Sequence, residues 1–175
     1  MVNADTNLSM VSLCPSFVFG PIRGELTSSS SFSIDIVGKW ARGLSEVQSR
    51  LCVDVRDVAK AHVRAMQLHG TTGERFIVSA ESRLHSADVA DEMRRIANEV
   101  GVVYGSKITA DEDFDGGAIK IGEQEVGCEK NLREKLGLSC RPVLNTFGDM
   151  TRNMYRSEIE DKLASMVLVE EEEEH

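Results

Sequence analysis

Residues 8–21 read LSMVSLCPSFVFGP, an apolar run that is broken at Pro15 and ended by Gly20-Pro21. A run of this kind, bounded by turn signals, is typical of a buried strand and the loop at its carboxyl end. We therefore predict a strand at Leu8–Leu13, with Phe17–Phe19 after the break. On the C-terminal side of this stretch, strand-like apolar segments alternate with segments of helical periodicity. This alternation predicts an α/β fold with a mainly parallel sheet.

Two further short strands and the helix between them support that fold class. The strands are predicted at Leu51–Val53 and Arg75–Ser79, and the second of them should lie in one mainly parallel sheet with the first strand, Leu8–Leu13. Asp57 is expected to be the N-cap of the intervening helix, which should end at about Leu68. Its buried stripe is predicted to consist of Val58, Ala61, Ala65 and Leu68. Small residues in that stripe would allow the helix to pack closely on its neighbours.

Other ordered segments are indicated by the spacing of apolar residues. Ser86 is the expected cap of a helix with Val89, Met93, Ile96 and Val100 on one face. A short helix is predicted at Ser33–Leu44, with Ile34, Val37 and Trp40 on one face. A final helix should run from about Val143 to Leu163, with Leu144, Phe147, Met150 and Met154 inward. An ordered segment is also expected at Lys130–Leu136, and it should end at Gly137.

The length of 175 residues fits one domain, predicted at residues 1–165. Residues 166–175, which include five consecutive glutamates, are expected to form an acidic disordered tail. Arg23–Ser33 is rich in serine and is predicted to be a mobile loop. Asp111–Gly127 is rich in glycine and charge and is predicted to be an exposed loop with at most one short strand.

Charge and cysteine usage narrow the class of protein. A net charge of −9 disfavours nucleic acids and anionic membrane surfaces as partners. The sequence has no apolar run long enough to span a bilayer, and its first residues do not have the pattern of a signal peptide. Four widely separated cysteines indicate free thiols in a reducing compartment. Together these features predict a cytoplasmic protein.

The residues alone assign no catalytic or metal-binding group. The sequence has no glycine-rich dinucleotide-binding motif, no P-loop and no Tyr-x-x-x-Lys pair. His62 and His69 are not accompanied by further metal-ligand spacing, so a surface role is expected for both. The charged cluster at Asp54, Arg56 and Asp57 is interpreted as a helix cap with an ion pair that orients the loop.

Four motifs, in the same order, resemble those of the extended short-chain dehydrogenases. They are Pro15 to Pro21 in LCPSFVFGP, Val53–His62 (VDVRDVAKAH), Gly73–Ser79 (GERFIVS) and Lys130–Gly137 (KNLREKLG). The sequences of these motifs are most similar to those of the branch of dihydroflavonol and cinnamoyl-CoA reductases. Sugar-nucleotide epimerases and hydroxysteroid dehydrogenases share the architecture with weaker agreement.

The resemblance implies the C-terminal part of a Rossmann-type parallel sheet plus a small mixed substrate-binding lobe. It implies an NAD(P)-dependent oxidoreductase that reduces a small-molecule carbonyl or a CoA thioester, with NADP or NAD as cofactor. Cofactor binding would fall on Pro15, Ser16, Phe17 and Val18, with Val18 the best candidate for the nicotinamide carboxamide. Pro15 would turn the chain while leaving adjacent amides free to face a ligand; the alternative is that it only ends a strand.

The chain also departs from the family pattern. The glycine-rich cofactor loop and the catalytic Tyr and Lys lie upstream in the family, so a fragment with an incomplete cofactor site and no activity of its own is expected. Two alternatives stay open, a non-catalytic binding or interaction protein derived from the same fold and a sugar-nucleotide epimerase/dehydratase relative. Without the upstream strands a sheet edge would be exposed, which predicts self-association.

Overall fold

The computed structural model describes residues 9–22, 32–41, 49–80, 83–101 and 128–156. The predicted loop Asp111–Gly127, the acidic tail and residues 157–163 of the last predicted helix lie outside the described residues, as does most of the serine-rich loop. The chain divides into two compact units. Unit 1 comprises Met1–Val18, Arg50–Leu84 and Lys120–Val143, and unit 2 the remaining segments.

The described elements form a mixed α/β architecture, as predicted. In chain order they are β1 (Ser12–Pro15), β2 (Phe17–Phe19), α1 (Phe32–Ala41), β3 (Ser49–Asp54), α2 (Val55–Gln67), β4 (Arg75–Val78), β5 (Arg83–His85), α3 (Ser86–Glu99), α4 (Cys128–Leu136) and α5 (Val143–Met154). Within the described ranges, β1 and β4 form a two-stranded sheet, and β2, β3 and β5 form a three-stranded sheet with β3 in the middle.

Unit 1 is built around the parallel pair β1–β4. Ser12 is in register with Arg75 and Pro15 with Val78. The strands, α2 and α4 enclose a core of Val53, Ala61, Phe76, Val78, Leu132 and Leu136. Helix α2 contacts both strands. The prediction that the first strand and the Arg75 strand share one parallel sheet beside α2 is therefore confirmed.

The start of α2 differs from the prediction. Its N-cap is Asp54, which has an extended backbone and directly precedes the first helical residue. The Asp54 carboxylate accepts a hydrogen bond from the Arg56 amide. Because β3 runs directly into α2, the cap falls on the last strand residue, and Asp57 lies in the first helical turn instead. The strand predicted from Leu8 begins at Ser12, and Met10 is 52% exposed.

The described part of unit 2 is mainly helical. On α3 the predicted residues Val89, Met93 and Ile96 are fully buried, and on α1 Ile36 and Val37 are buried. Phe19 packs against Phe147 of α5 with ring centroids 4.8 Å apart. Leu144 was predicted to face inward but is 41% exposed. The buried face of α5 contains Thr146, Phe147, Met150 and Thr151, and Leu144 lies outside it.

Candidate functional site

The segment Pro15–Val18 lies where the chain leaves one sheet for another. Strand β1 ends at Pro15, opposite Val78 at the carboxyl end of β4. The Ser16 amide donates a 3.0 Å hydrogen bond to the Val78 carbonyl, and β2 begins at Phe17 in the other sheet. Ligands of open α/β sheets bind beyond the carboxyl ends of parallel strands, at points where the strand order changes. The segment lies at the carboxyl ends of the parallel strands β1 and β4.

The Ser16 amide has a hydrogen-bond partner, whereas its side-chain hydroxyl has none among the described residues. Because its N–H is bound to Val78, the expectation that the amides next to Pro15 are free to face a ligand is wrong at Ser16. Its Oγ is buried and has no hydrogen-bond partner in the structure's described part. A buried polar group left unpaired costs about 1–3 kcal/mol, so this hydroxyl is where a polar ligand atom would gain most.

The two residues after Ser16 have different surroundings. Phe17 is half-buried, and the Arg50 guanidinium carbon lies 4.4 Å from its ring centroid, which is a cation–π contact. Val18 is partly buried against the unit 1 core. Arg50 thus places a positive charge beside the segment, and the sequence motifs gave no signal for it.

A hydrogen bond links the residues that follow β4 to β3. The Ala80 amide donates to the Cys52 carbonyl at 2.9 Å, and the Ser79 hydroxyl donates to the Ala80 carbonyl. Burial raises the pKa of the Cys52 thiol to about 12, although nearby Arg50 opposes the shift. The Cys52 thiol therefore stays protonated at neutral pH and does not act as a nucleophile.

A network of two buried carboxylates holds the start of α2. Arg56 binds Asp54 through Nε at 2.9 Å and Nη2 at 2.6 Å. Arg141, which precedes α5, donates its backbone N–H to Asp57 Oδ2 at 2.7 Å and its Nη1 to Asp57 Oδ1. The interpretation of this cluster as a cap plus an ion pair is confirmed. Arg141 was missed because its contact spans 84 residues of sequence.

The histidines have surface positions. His62 is exposed, and its Nδ1 lies 2.8 Å from the Val58 carbonyl within the same helix; His69 is exposed beyond the end of α2. In the ranges that the structure describes, no three His, Cys, Asp or Glu side chains are grouped so that they could hold a metal ion. None of the described helices is both long and apolar enough to cross a bilayer.

The described elements define the chain as an α/β protein, and comparisons with known proteins narrow its class further. A ketoreductase of Aspergillus niger, azaE, is 34% identical over 161 residues, which cover 87% of this chain and 45% of that protein. No protein-family model matches the sequence.

Solved structures of reductases share the fold. The methylglyoxal/isovaleraldehyde reductase Gre2 of yeast, complexed with NADPH, matches with a TM-score of 0.65 and 24% identity over 86% of this chain and 44% of that one. Gre2 of Candida albicans with NADPH matches with a TM-score of 0.69 and 24% identity, covering 89% and 46%. The resemblance to extended short-chain dehydrogenases and the Rossmann-type fold class are confirmed. The chain spans less than half the length of these relatives.

Proposed function

We propose that this chain supplies the nicotinamide side of the active site of an NADPH-dependent carbonyl reductase. The observation that carries the proposal is the change of sheet at Ser16, at the carboxyl ends of β1 and β4. Similarity to a ketoreductase and to NADPH-bound reductases supports the choice of cofactor and reaction. The proposal includes a small-molecule carbonyl or CoA-thioester substrate and a cytoplasmic location.

Within this proposal the chain's residues bind and orient, and the cofactor when bound supplies the hydride. Val18 would present its backbone to the carboxamide, and the unsatisfied Ser16 hydroxyl would supply a further hydrogen bond after a side-chain rotation. Arg50, held over the Phe17 ring, would attract anionic groups of the cofactor or substrate. Proton donation is not assigned to this chain, because its sequence contains no Tyr-x-x-x-Lys pair.

Amide chemical shifts of the full chain, followed by NMR, test where the cofactor binds. Nicotinamide mononucleotide at millimolar concentration should shift the amides of Ser16 to Val18 and of Ala80, because these surround the sheet change. Adenosine 2′,5′-bisphosphate, the other end of NADPH, is the matched control. It should leave those amides unchanged, since the chain has no glycine-rich loop to hold phosphates.

A substitution tests the contribution of the Ser16 hydroxyl to this binding. Ser16→Ala removes the unsatisfied hydroxyl, so it should weaken binding of nicotinamide mononucleotide by up to about tenfold, the worth of roughly one hydrogen bond, without lowering stability. Ser12→Ala, in the adjoining strand β1, should leave the affinity unchanged. Shifts confined to residues away from β1 and β4, or equal responses to both nucleotides, would contradict the proposal.

A further inference from the structure

Arg50 lies beside the segment that the proposed function assigns to the nicotinamide. It is the second residue of β3, which pairs with β2. Its guanidinium carbon lies 4.4 Å from the ring centroid of Phe17, the residue between Ser16 and Val18. Its charge also acts on the buried thiol of Cys52 on the same strand, where it opposes the rise in the pKa of that group. A cation is therefore held close to the point where the chain passes from one sheet to the other.

The position of this guanidinium over a ring suits it to bind an anion. A guanidinium carries five N–H donors in a fixed fork, which is more than one aromatic ring can occupy. The fork matches the two oxygens of a carboxylate, and the contact with Phe17 holds it in place, so less side-chain freedom is lost when an anion binds. Arg50 is half-buried, so its attraction for an anion is screened less than that of a fully exposed arginine.

The phosphates of the cofactor are expected elsewhere. The end of NADPH that is assigned to Ser16 and Val18 is the carboxamide of the nicotinamide, which is uncharged. Dinucleotide phosphates bind at a glycine-rich loop and the helix that follows it, and this sequence contains no such loop. An anion beside Arg50 is therefore better supplied by the substrate. The apolar ring of Phe17 next to the guanidinium suits a short carbon chain that joins a carboxylate to a carbonyl group.

We infer that Arg50 is a specificity-determining residue that binds the carboxylate of the carbonyl substrate, so that the site prefers oxo acids to neutral ketones. The inference rests on the proposed function for the position of the carbonyl and goes beyond it in naming the class of substrate. The net charge of −9 repels an acid, so a cation held at the site is needed to receive one. Arg50 binds and orients the substrate and takes no part in proton transfer, because its guanidinium stays protonated.

NMR titration of the full chain with acetoacetate, an oxo acid, and with methyl acetoacetate, its neutral ester, tests the inference. The acid should shift the Nε–H signal of Arg50 and bind at least about fivefold more tightly than the ester, and added salt should weaken only the acid. Arg50→Gln should remove this preference, whereas Arg50→Lys, which keeps the charge without the fork, should retain part of it. Arg75→Gln is the matched control, because Arg75 is an exposed arginine at the start of β4 in the same unit.

The comparison of acid and ester on the unaltered chain needs no variant, so it holds even if a substitution disturbs the fold. Equal affinities for the two compounds, an acid preference that survives Arg50→Gln, or an equal loss in Arg75→Gln would overturn the inference. Titration with nicotinamide mononucleotide separates it from the proposed function. If Arg50→Gln weakens binding of the nucleotide and not of acetoacetate, Arg50 serves the cofactor and the inference is wrong. If acetoacetate binds at Arg50 while the nucleotide shifts none of Ser16 to Val18, the carboxylate site stands and the proposed function fails.

Discussion

At the scale of single residues, the buried carboxylate of Asp57 shows how a distant contact fixes local structure. Asp57 is 5% exposed and receives two hydrogen bonds from Arg141, one of them from the backbone. These bonds hold the segment before α5 against the first turn of α2. A carboxylate is needed here for two reasons. A charged acceptor makes stronger hydrogen bonds than a neutral one, and a negative charge is stabilised near the positive N-terminal end of a helix.

Replacing Asp57 by Asn should lower the free energy of unfolding by about 2–3 kcal/mol, since one charge-assisted interaction is lost and Arg141 keeps a poorer partner. The matched control is Asp91→Asn, because the Asp91–Arg94 pair is also short, at 2.6 Å, but the Asp91 side chain is 63% exposed. Exposed pairs contribute little, so this control should cost at most about 0.5–1 kcal/mol. Urea unfolding measures both, and equal costs would show that the Arg141 contact does not stabilise the fold.

At the scale of elements, α3 and α5 meet at a glycine. A Cβ built on Gly148 would lie 2.9 Å from Oε1 of Glu92, the end of a flexible side chain. That carboxylate is also held by Arg95 at 2.8 Å, and this hydrogen bond lowers the pKa of Glu92. An alanine at position 148 therefore gains helix propensity but displaces Glu92 from its place beside Arg95.

We expect Gly148→Ala to raise the stability by less than the roughly 1 kcal/mol that Gly-to-Ala changes give in a helix interior. In a Glu92→Ala background the obstructing atom is gone, so the same change should give the full gain. Thermal or urea unfolding of the four proteins in this cycle measures the difference. Identical gains in the two backgrounds would mean that Glu92 does not approach Gly148.

The lowered pKa of Glu92 also has a consequence for stability. A carboxyl whose pKa is lower in the folded state stabilises the protein above its unfolded pKa, near 4.5. That contribution is lost as the pH falls below 4.5 through the folded value. The difference between wild type and Glu92→Gln, measured by urea unfolding, should therefore shrink from pH 7 to pH 3. A constant difference would contradict the assignment of Arg95 as the cause.

Local patterns predicted some elements well and others poorly, for identifiable reasons. The buried residues of α3 could be read from their spacing, because one amphipathic helix carries its own signal. Strand β5 has only three residues, too few to show a period. Asp54 was not recognised as the cap of α2, because the cap depends on where β3 ends. The change of sheet at Ser16 and the position of Arg50 over Phe17 depend on tertiary contacts that no local pattern contains.

At the scale of the whole molecule, the chain has the fold of a reductase but covers under half the length of its relatives. The residues proposed to meet the nicotinamide, Pro15 to Val18, are present. A glycine-rich loop and a Tyr-x-x-x-Lys pair are absent from the sequence. We therefore propose that this chain alone binds NADPH through one end only and does not catalyse reduction.

Titration of the purified 175-residue chain with NADPH, followed by the fluorescence of the cofactor, tests whether the chain alone holds only one end of the cofactor. A few hydrogen bonds of about 1 kcal/mol each provide at most the ~4 kcal/mol that corresponds to a millimolar dissociation constant. We predict no saturation below about 1 mM. Saturation in the micromolar range that is weakened by substitution of Val18 would contradict it, because it would require a complete cofactor site within these residues.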